Sequence, residues 1–177
     1  MGRSVGLSSE GKKPAMVTVE RIREVLSFEP LTGVFSWKVA PTRSVKVGDV
    51  AGNRNARGYI AIKIDRRLYM AHRLAWLYVT GEWPVAGVDH VNGSKTDNRF
   101  ENLRQATHSE NMRNRGAQKN NACGYKGVYF TKKDKRWVAN IWLHGKKKYL
   151  GEFSTPEDAH AAYCAAAEKY HGEFARF

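Results

Sequence analysis

Val88-Asp89-His90-Val91-Asn92-Gly93 sets a carboxylate beside an imidazole at the end of a short apolar run. The chain then returns two asparagines, Asn102 and Asn111, twelve and twenty-one residues after His90. Asp89-His90 reads as the end of a strand, Asn92-Gly93-Ser94 as a turn, and Asn102-Leu103-Arg104-Gln105-Ala106 as the strand that comes back. Thr107 with Glu110 three residues later is a capping box, so a helix begins there with Asn111 in or just beyond its first turn. Strand, loop, strand and helix fit in about thirty residues. Alternation along a strand sends Asp89 and His90 to opposite faces. If both serve one site the backbone must bend there, and the glycine and turn residues that follow favour a bend.

These residue types suit phosphodiester cleavage, which needs a base to activate water and a cation to stabilise charge on the phosphorane and the leaving oxygen. His90 suits the first task because an unperturbed imidazole titrates at about 6.5. Asp89 and Asn111 suit the second: their oxygens are hard donors, and two protein ligands leave room for waters and phosphate, as magnesium prefers. Asn102, at the start of the returning strand, is placed to bridge backbone groups across the loop.

The same stretch carries a resemblance. Val88 to Arg104, continued by Thr107-His108-Ser109-Glu110-Asn111, resembles the HNH nuclease motif of phage and intron-encoded homing endonucleases. That resemblance implies a ββα-metal fold with His90 as general base and Asp89 and Asn111 on one divalent cation. Magnesium is the expected ion, manganese the alternative, and no structural zinc is expected. Asn102, the remaining member of the catalytic group, supports the loop, and the third motif position is Asn where other branches have His. His108, three residues earlier, reads as a phosphate contact. Arg99, Arg104, Arg113 and Arg115 are expected to touch phosphate.

Upstream, Thr18 to Leu26 reads as a short amphipathic helix capped by Thr18, with Val19, Ile22, Val25 and Leu26 on one stripe, ended by Pro30 and Gly33. Val34 to Val39 and Gly58 to Ile64 alternate as strands, with Tyr69-Met70-Ala71 as a hairpin partner across Asp65-Arg66-Arg67. His72 to Tyr78 is helical, and His72 reads as a packed or capping histidine. The result is a small antiparallel platform with eight basic residues and two acids between Arg43 and Arg73, suited to one wall of a DNA groove.

Downstream, residues 116–122 read as a linker. Gly127 to Phe130, Arg136 to Leu143 and Lys147 to Phe153 give a three-stranded antiparallel sheet. Thr155, Pro156 and Asp158 start a helix whose stripe is Ala159, Ala162, Tyr163, Ala166 and Tyr170. Trp137, Ala139 and Ile141 would face that helix, leaving Asn140 and Trp142 outward. Between Lys126 and Lys148 stand eight basic residues and one acid. From Tyr125-Lys126-Gly127-Val128 to Tyr170-His171-Gly172-Glu173 the chain resembles the Apetala-type DNA-binding domain of plant ethylene-response factors. The resemblance implies that the sheet enters the DNA groove, with contacts from Lys126, Tyr129, Thr131, Trp142, Lys147 and Tyr149. Several arginines of the plant pattern are Lys, Tyr or Trp here, so its base preference does not transfer.

Whole-chain properties agree. The net charge of +13 over 177 residues points to a polyanion, double-stranded DNA first. No apolar run approaches the roughly 20 residues of a membrane helix. Cys123 and Cys164 are the only cysteines, which argues against a disulfide framework and for an intracellular setting, the host cytoplasm if the chain is phage-encoded. Residues 1–16 read as a disordered leader without a secretory pattern.

The expected architecture is α+β: an HNH module over 17–115 including the platform, a linker over 116–122, and a sheet-and-helix DNA-binding domain over 123–177. The expected activity is metal-assisted DNA cleavage, the phage homing type, with removal of 123–177 weakening binding and leaving the chemistry intact. The rivals are a non-catalytic DNA-binding regulator using the HNH core as scaffold and an RNA-directed protein. Oligomeric state, target site and nicking versus double-strand cutting are not set by the sequence.

Overall fold

Thr18 does cap the first helix: its side chain accepts from the Arg21 backbone N–H at 3.2 Å, and α1 runs Val19–Val25 with Ile22 and Val25 buried. The computed structural model describes residues 16–117, 121 and 123–177; all but Met16 of the expected leader, and part of the expected linker, lie outside them. Leu26 departs from the expected helix. It opens β1 (Leu26–Glu29), which pairs antiparallel with β2 (Val34–Trp37), Leu26 opposite Trp37. The helical stripe and the strand face coincide at this residue: Leu26 is fully buried in the strand it forms, and pairing with Trp37 holds it there.

A second sheet has the order β3-β4-β5, with β3 Asn53–Arg54, β4 Ile60–Ile64 and β5 Arg67–Met70. Asp65 and Arg66 connect β4 to β5 at φ 47° and 66°, the doubly left-handed geometry that matches strand twist in a two-residue hairpin. Helix α2 (Ala71–Thr80) follows β5 without a loop, and left-handed Gly81 closes it. Its buried side carries Ala71, His72, Leu74, Ala75 and Leu77. Ala71, Leu74, Ala75 and Leu77 join Ile22, Leu26, Phe35, Ile62 and Val88 in one apolar core.

On that core rests a third sheet, β6 (Gly87–His90) against β7 (Leu103–Ala106), entered through a 3-10 turn at Phe100–Asn102. Helix α3 (His108–Arg113) follows with the complete Thr107–Glu110 capping box. This is the ββα arrangement expected of the motif.

The C-terminal part has the sheet order β10-β9-β8, with β8 Val128–Thr131, β9 Arg136–Leu143 and β10 Lys146–Phe153. Helix α4 (Pro156–His171) lies across it. Val128, Ala139 and Ile141 meet Ala159, Tyr163, Ala166 and Ala167 in two adjoining clusters. Two expectations need correction. Tyr170 does not join the helix stripe: it is 38% exposed and its hydroxyl accepts from Lys148 Nζ at 2.8 Å, while His171 turns inward. Asn140 is buried, although alternation puts it on the outer face beside Trp142, which is 62% exposed. The whole is α+β, with antiparallel sheets and a C-terminal three-stranded sheet packed on one helix. Among the described residues no helix is long and apolar enough to cross a membrane.

Candidate active site and nucleic-acid interface

In the β6–β7 ladder Asp89 sits opposite Arg104 and His90 opposite Leu103, so the two functional side chains leave on opposite faces. Both are buried. The bend comes after them: the Gly93 N–H donates to the His90 carbonyl at 2.8 Å, and the Val91 N–H donates to the Asn102 carbonyl at 2.9 Å.

His90 Nε2 lies 3.2 Å from the Asn98 side-chain oxygen. The Asn98 amide nitrogen donates to the Thr96 carbonyl, which orients the amide and makes its oxygen an acceptor for the ring. A ring that donates through Nε2 keeps its lone pair on Nδ1, and that nitrogen is the basic one. The His72 ring stands edge-on at 5.0 Å and the Tyr59 ring at 6.1 Å. Burial pushes the His90 imidazole below its ordinary value, opposed by Asn98, Asp89 and Asp97. Burial, His90 and Arg73 push His72 down to about 3, and His72 Nδ1 has no hydrogen-bond partner among the described residues. Both rings are therefore neutral at physiological pH.

Asp89 is held through one oxygen. Arg104 reaches Oδ2 with Nε at 3.3 Å and Nη2 at 3.1 Å, and the Asn114 amide nitrogen donates to it at 2.8 Å. The same nitrogen donates to the His90 carbonyl at 2.7 Å. Asn114, buried just past α3, thus joins the carboxylate to the strand that carries the imidazole. Asn111, the expected helix residue, is exposed, and its backbone N–H donates to Thr107 O. The two asparagines are three residues apart on a helical turn, and sequence spacing by itself selects neither.

Asn102 ties the loop together. Its side-chain oxygen accepts from the Asn92 N–H at 2.9 Å, and its amide nitrogen donates to Asn92 Oδ1 and the Asp97 carbonyl. Asp97 grips Arg99 through both carboxylate oxygens, and that guanidinium holds it down at about 2. The loop is a closed polar network, which gives a buried polar cluster a defined shape.

Of the residues expected at phosphate, Arg99 is engaged by Asp97 and Glu101, and Arg104 by Asp89. Arg113 is half-buried and, with His108 and Arg115, lines a groove of about 1020 Å³ between α3 and the outer sheet face. Tyr129, Trp142 and Lys147 line the same groove. Tyr129, Trp142 and Tyr149 are exposed, with Lys147 Nζ 4.7 Å over the Tyr129 ring. Thr131 bonds Asp134 at the hairpin turn. Lys126 turns inward, donating to the Arg113 and Arg176 carbonyls, and burial lowers it to about 8.

Residues 69–113 match the HNH endonuclease family, a span that contains His72, Asp89, His90, Asn102 and Asn111. Protein 3.8 of Escherichia phage T7 is 30% identical over 107 residues, 60% of this chain and 88% of that protein. The chain belongs to the HNH endonuclease family. This HNH protein also carries an AP2 domain, matched over residues 123–173. An AP2-like ethylene-responsive transcription factor of Arabidopsis thaliana is 46% identical over 48 residues, and APETALA2-like protein 2 of Oryza sativa subsp. indica is similar to the same degree. Those matches cover 10% and 11% of the plant proteins, so the likeness is to one domain of each.

HNH endonucleases generally use a divalent metal, and the donor set here fits a hard ion. Asp89 Oδ2 is taken by Arg104 and Asn114, while its Oδ1 makes no hydrogen bond among the described residues. The α3 side offers the amide oxygens of Asn111 and Asn114. One carboxylate and one amide oxygen, without three clustered His, Cys, Asp or Glu side chains among the described residues, suit an ion that keeps several waters.

Proposed function

We propose that this protein is a DNA endonuclease of the phage homing type, in which His90 is the general base and Asp89, with an asparagine oxygen from the α3 segment, seats one divalent cation. Asn111 is the residue the family resemblance assigns to that seat, and Asn114 is the one already bonded to Asp89. Asp89 and that asparagine oxygen would hold the ion, magnesium or in its place manganese, and it would supply positive charge to offset the charge that builds on the phosphate as the bond is cut. His90 takes the proton of the attacking water on Nδ1, and Asn98 holds the ring in the tautomer that leaves Nδ1 free. Asn102 keeps the loop in shape. The modules divide at 17–115 and 123–177, and Tyr129, Thr131, Trp142, Lys147 and Tyr149 meet double-stranded DNA, with Arg113 on the nuclease side.

The observation that carries this reading is the Asn114 amide, just past the HNH stretch, bonded to both Asp89 Oδ2 and the His90 carbonyl within it. A structure serving only as scaffold has no need of a buried imidazole held in one tautomer on the same strand as a carboxylate with one oxygen left unbonded among the described residues. Incubation with supercoiled plasmid and magnesium is expected to give nicked or linear product that EDTA abolishes. Tight DNA binding with no strand breaks under any divalent ion would favour the regulator instead.

A further inference from the structure

The last six residues of the chain reach back onto the HNH stretch. After α4 a 3-10 turn, Gly172–Phe174, buries the Phe174 ring. The Arg104 guanidinium carbon sits 3.8 Å from the centre of that ring, and Arg104 Nη1 donates to the Glu173 carbonyl at 2.5 Å. The same guanidinium holds Asp89 Oδ2 through its other two nitrogens. Arg176 lies over the turn after His90: a Cβ on Gly93 would run into its Nη1, which is also 3.5 Å from the Asn114 carbonyl. Lys126 joins the Arg113 and Arg176 carbonyls, and so ties the end of α3 to the tail.

We propose that the C-terminal segment Gly172–Phe177 is part of the nuclease site, with Phe174 a positioning residue that fixes Arg104 on Asp89 Oδ2 and so aims Oδ1 at the cation. This rests on the nuclease reading above. An aromatic face over a guanidinium attracts it electrostatically and keeps water off it, and a charge pair shielded from water is stronger than one in bulk solvent. With the Glu173 carbonyl on a third nitrogen, Arg104 has one orientation available, and Asp89 inherits it. The AP2 domain is then more than a tether: losing it removes a wall of the cation seat, contrary to the expectation that truncation leaves the chemistry intact.

The test compares Phe174→Leu, which keeps apolar bulk and loses the π face, with Phe174→Trp, which keeps both, in the full chain. Free manganese followed by electron paramagnetic resonance reads ion affinity, and plasmid nicking across magnesium concentrations reads function. Phe174→Leu is expected to weaken manganese binding about five- to tenfold and to raise the magnesium needed for half-maximal nicking by a similar factor. Phe174→Trp is expected to stay within twofold of the parent in both. Equal behaviour of Leu and Trp, whether both intact or both impaired, overturns the proposal. Asp89→Ala and His90→Ala separate the two levels. If they abolish nicking while Phe174→Leu matches the parent, only the tail's role fails. If they leave manganese binding and nicking unchanged, the nuclease reading fails and takes this inference with it.

Discussion

His90 and His72 stand 5.0 Å apart, both buried and both pushed toward neutrality. For a histidine whose folded value lies below its unfolded one, the unfolded chain takes up a proton that the folded chain refuses. For His72, stability is therefore full above about 6.5 and falls as the pH drops toward about 3, by up to about 1.4 kcal/mol per pH unit, and His90 adds a loss of the same sign. Urea unfolding between pH 7 and pH 4 should show this slope, and His72→Phe should lessen it by close to one proton. The sequence made Asp89, His90 and Asn102 legible because motif spacing marks them. It left Asn98 and Asn114 unmarked: Asn98 is one polar residue in a polar loop, and Asn114 competes with Asn111 one helical turn away. Arg104 was legible as a cation and not as the partner of Asp89, since cross-strand register is known only once the strands are paired.

Among the elements, the β1–β2 turn is the unexpected support of the site. Gly33, at φ 73°, lies so close to the loop that a Cβ would run into the Arg99 backbone nitrogen and the Asn98 carbonyl carbon. The Phe100 N–H donates to the Pro30 carbonyl at 3.2 Å in the same contact. The N-terminal hairpin therefore holds the segment that presents Asn98 to His90. Gly33→Ala should destabilise the fold by roughly 2–4 kcal/mol, the left-handed strain plus a backbone clash. Gly81→Ala, at φ 82° with open space around it, should cost only the strain, about 1 kcal/mol. Chemical denaturation of the two variants checks the difference. Element types and most boundaries were readable from period and caps, as with Thr107–Glu110 and Thr155–Asp158. The contact of Gly33 with Asn98 was not, because it joins segments 65 residues apart with no local signal at either end.

For the whole molecule, the excess of 13 positive charges is divided by use. Lys147 lies on the exposed face beside Tyr129; Lys126 is turned into the contact between the two modules and is spent on carbonyls. Binding measured against salt should separate them. Lys147→Ala should lower the slope of log K on log salt by about 0.9, the signature of one lost phosphate contact. Trp142→Ala should weaken binding with the slope unchanged, and Lys126→Ala should leave the slope alone. The Apetala-type resemblance implies both lysines as DNA contacts, because a sequence shows that a charge is present and not which way it points.

His90 as the base that activates water is tested by plasmid nicking with His90→Ala and magnesium, measured beside the variant's affinity for the same DNA. Affinity is expected to stay within twofold of the parent and cleavage to slow by about a hundredfold or more. Cleavage by His90→Ala at the parent's rate would contradict that role.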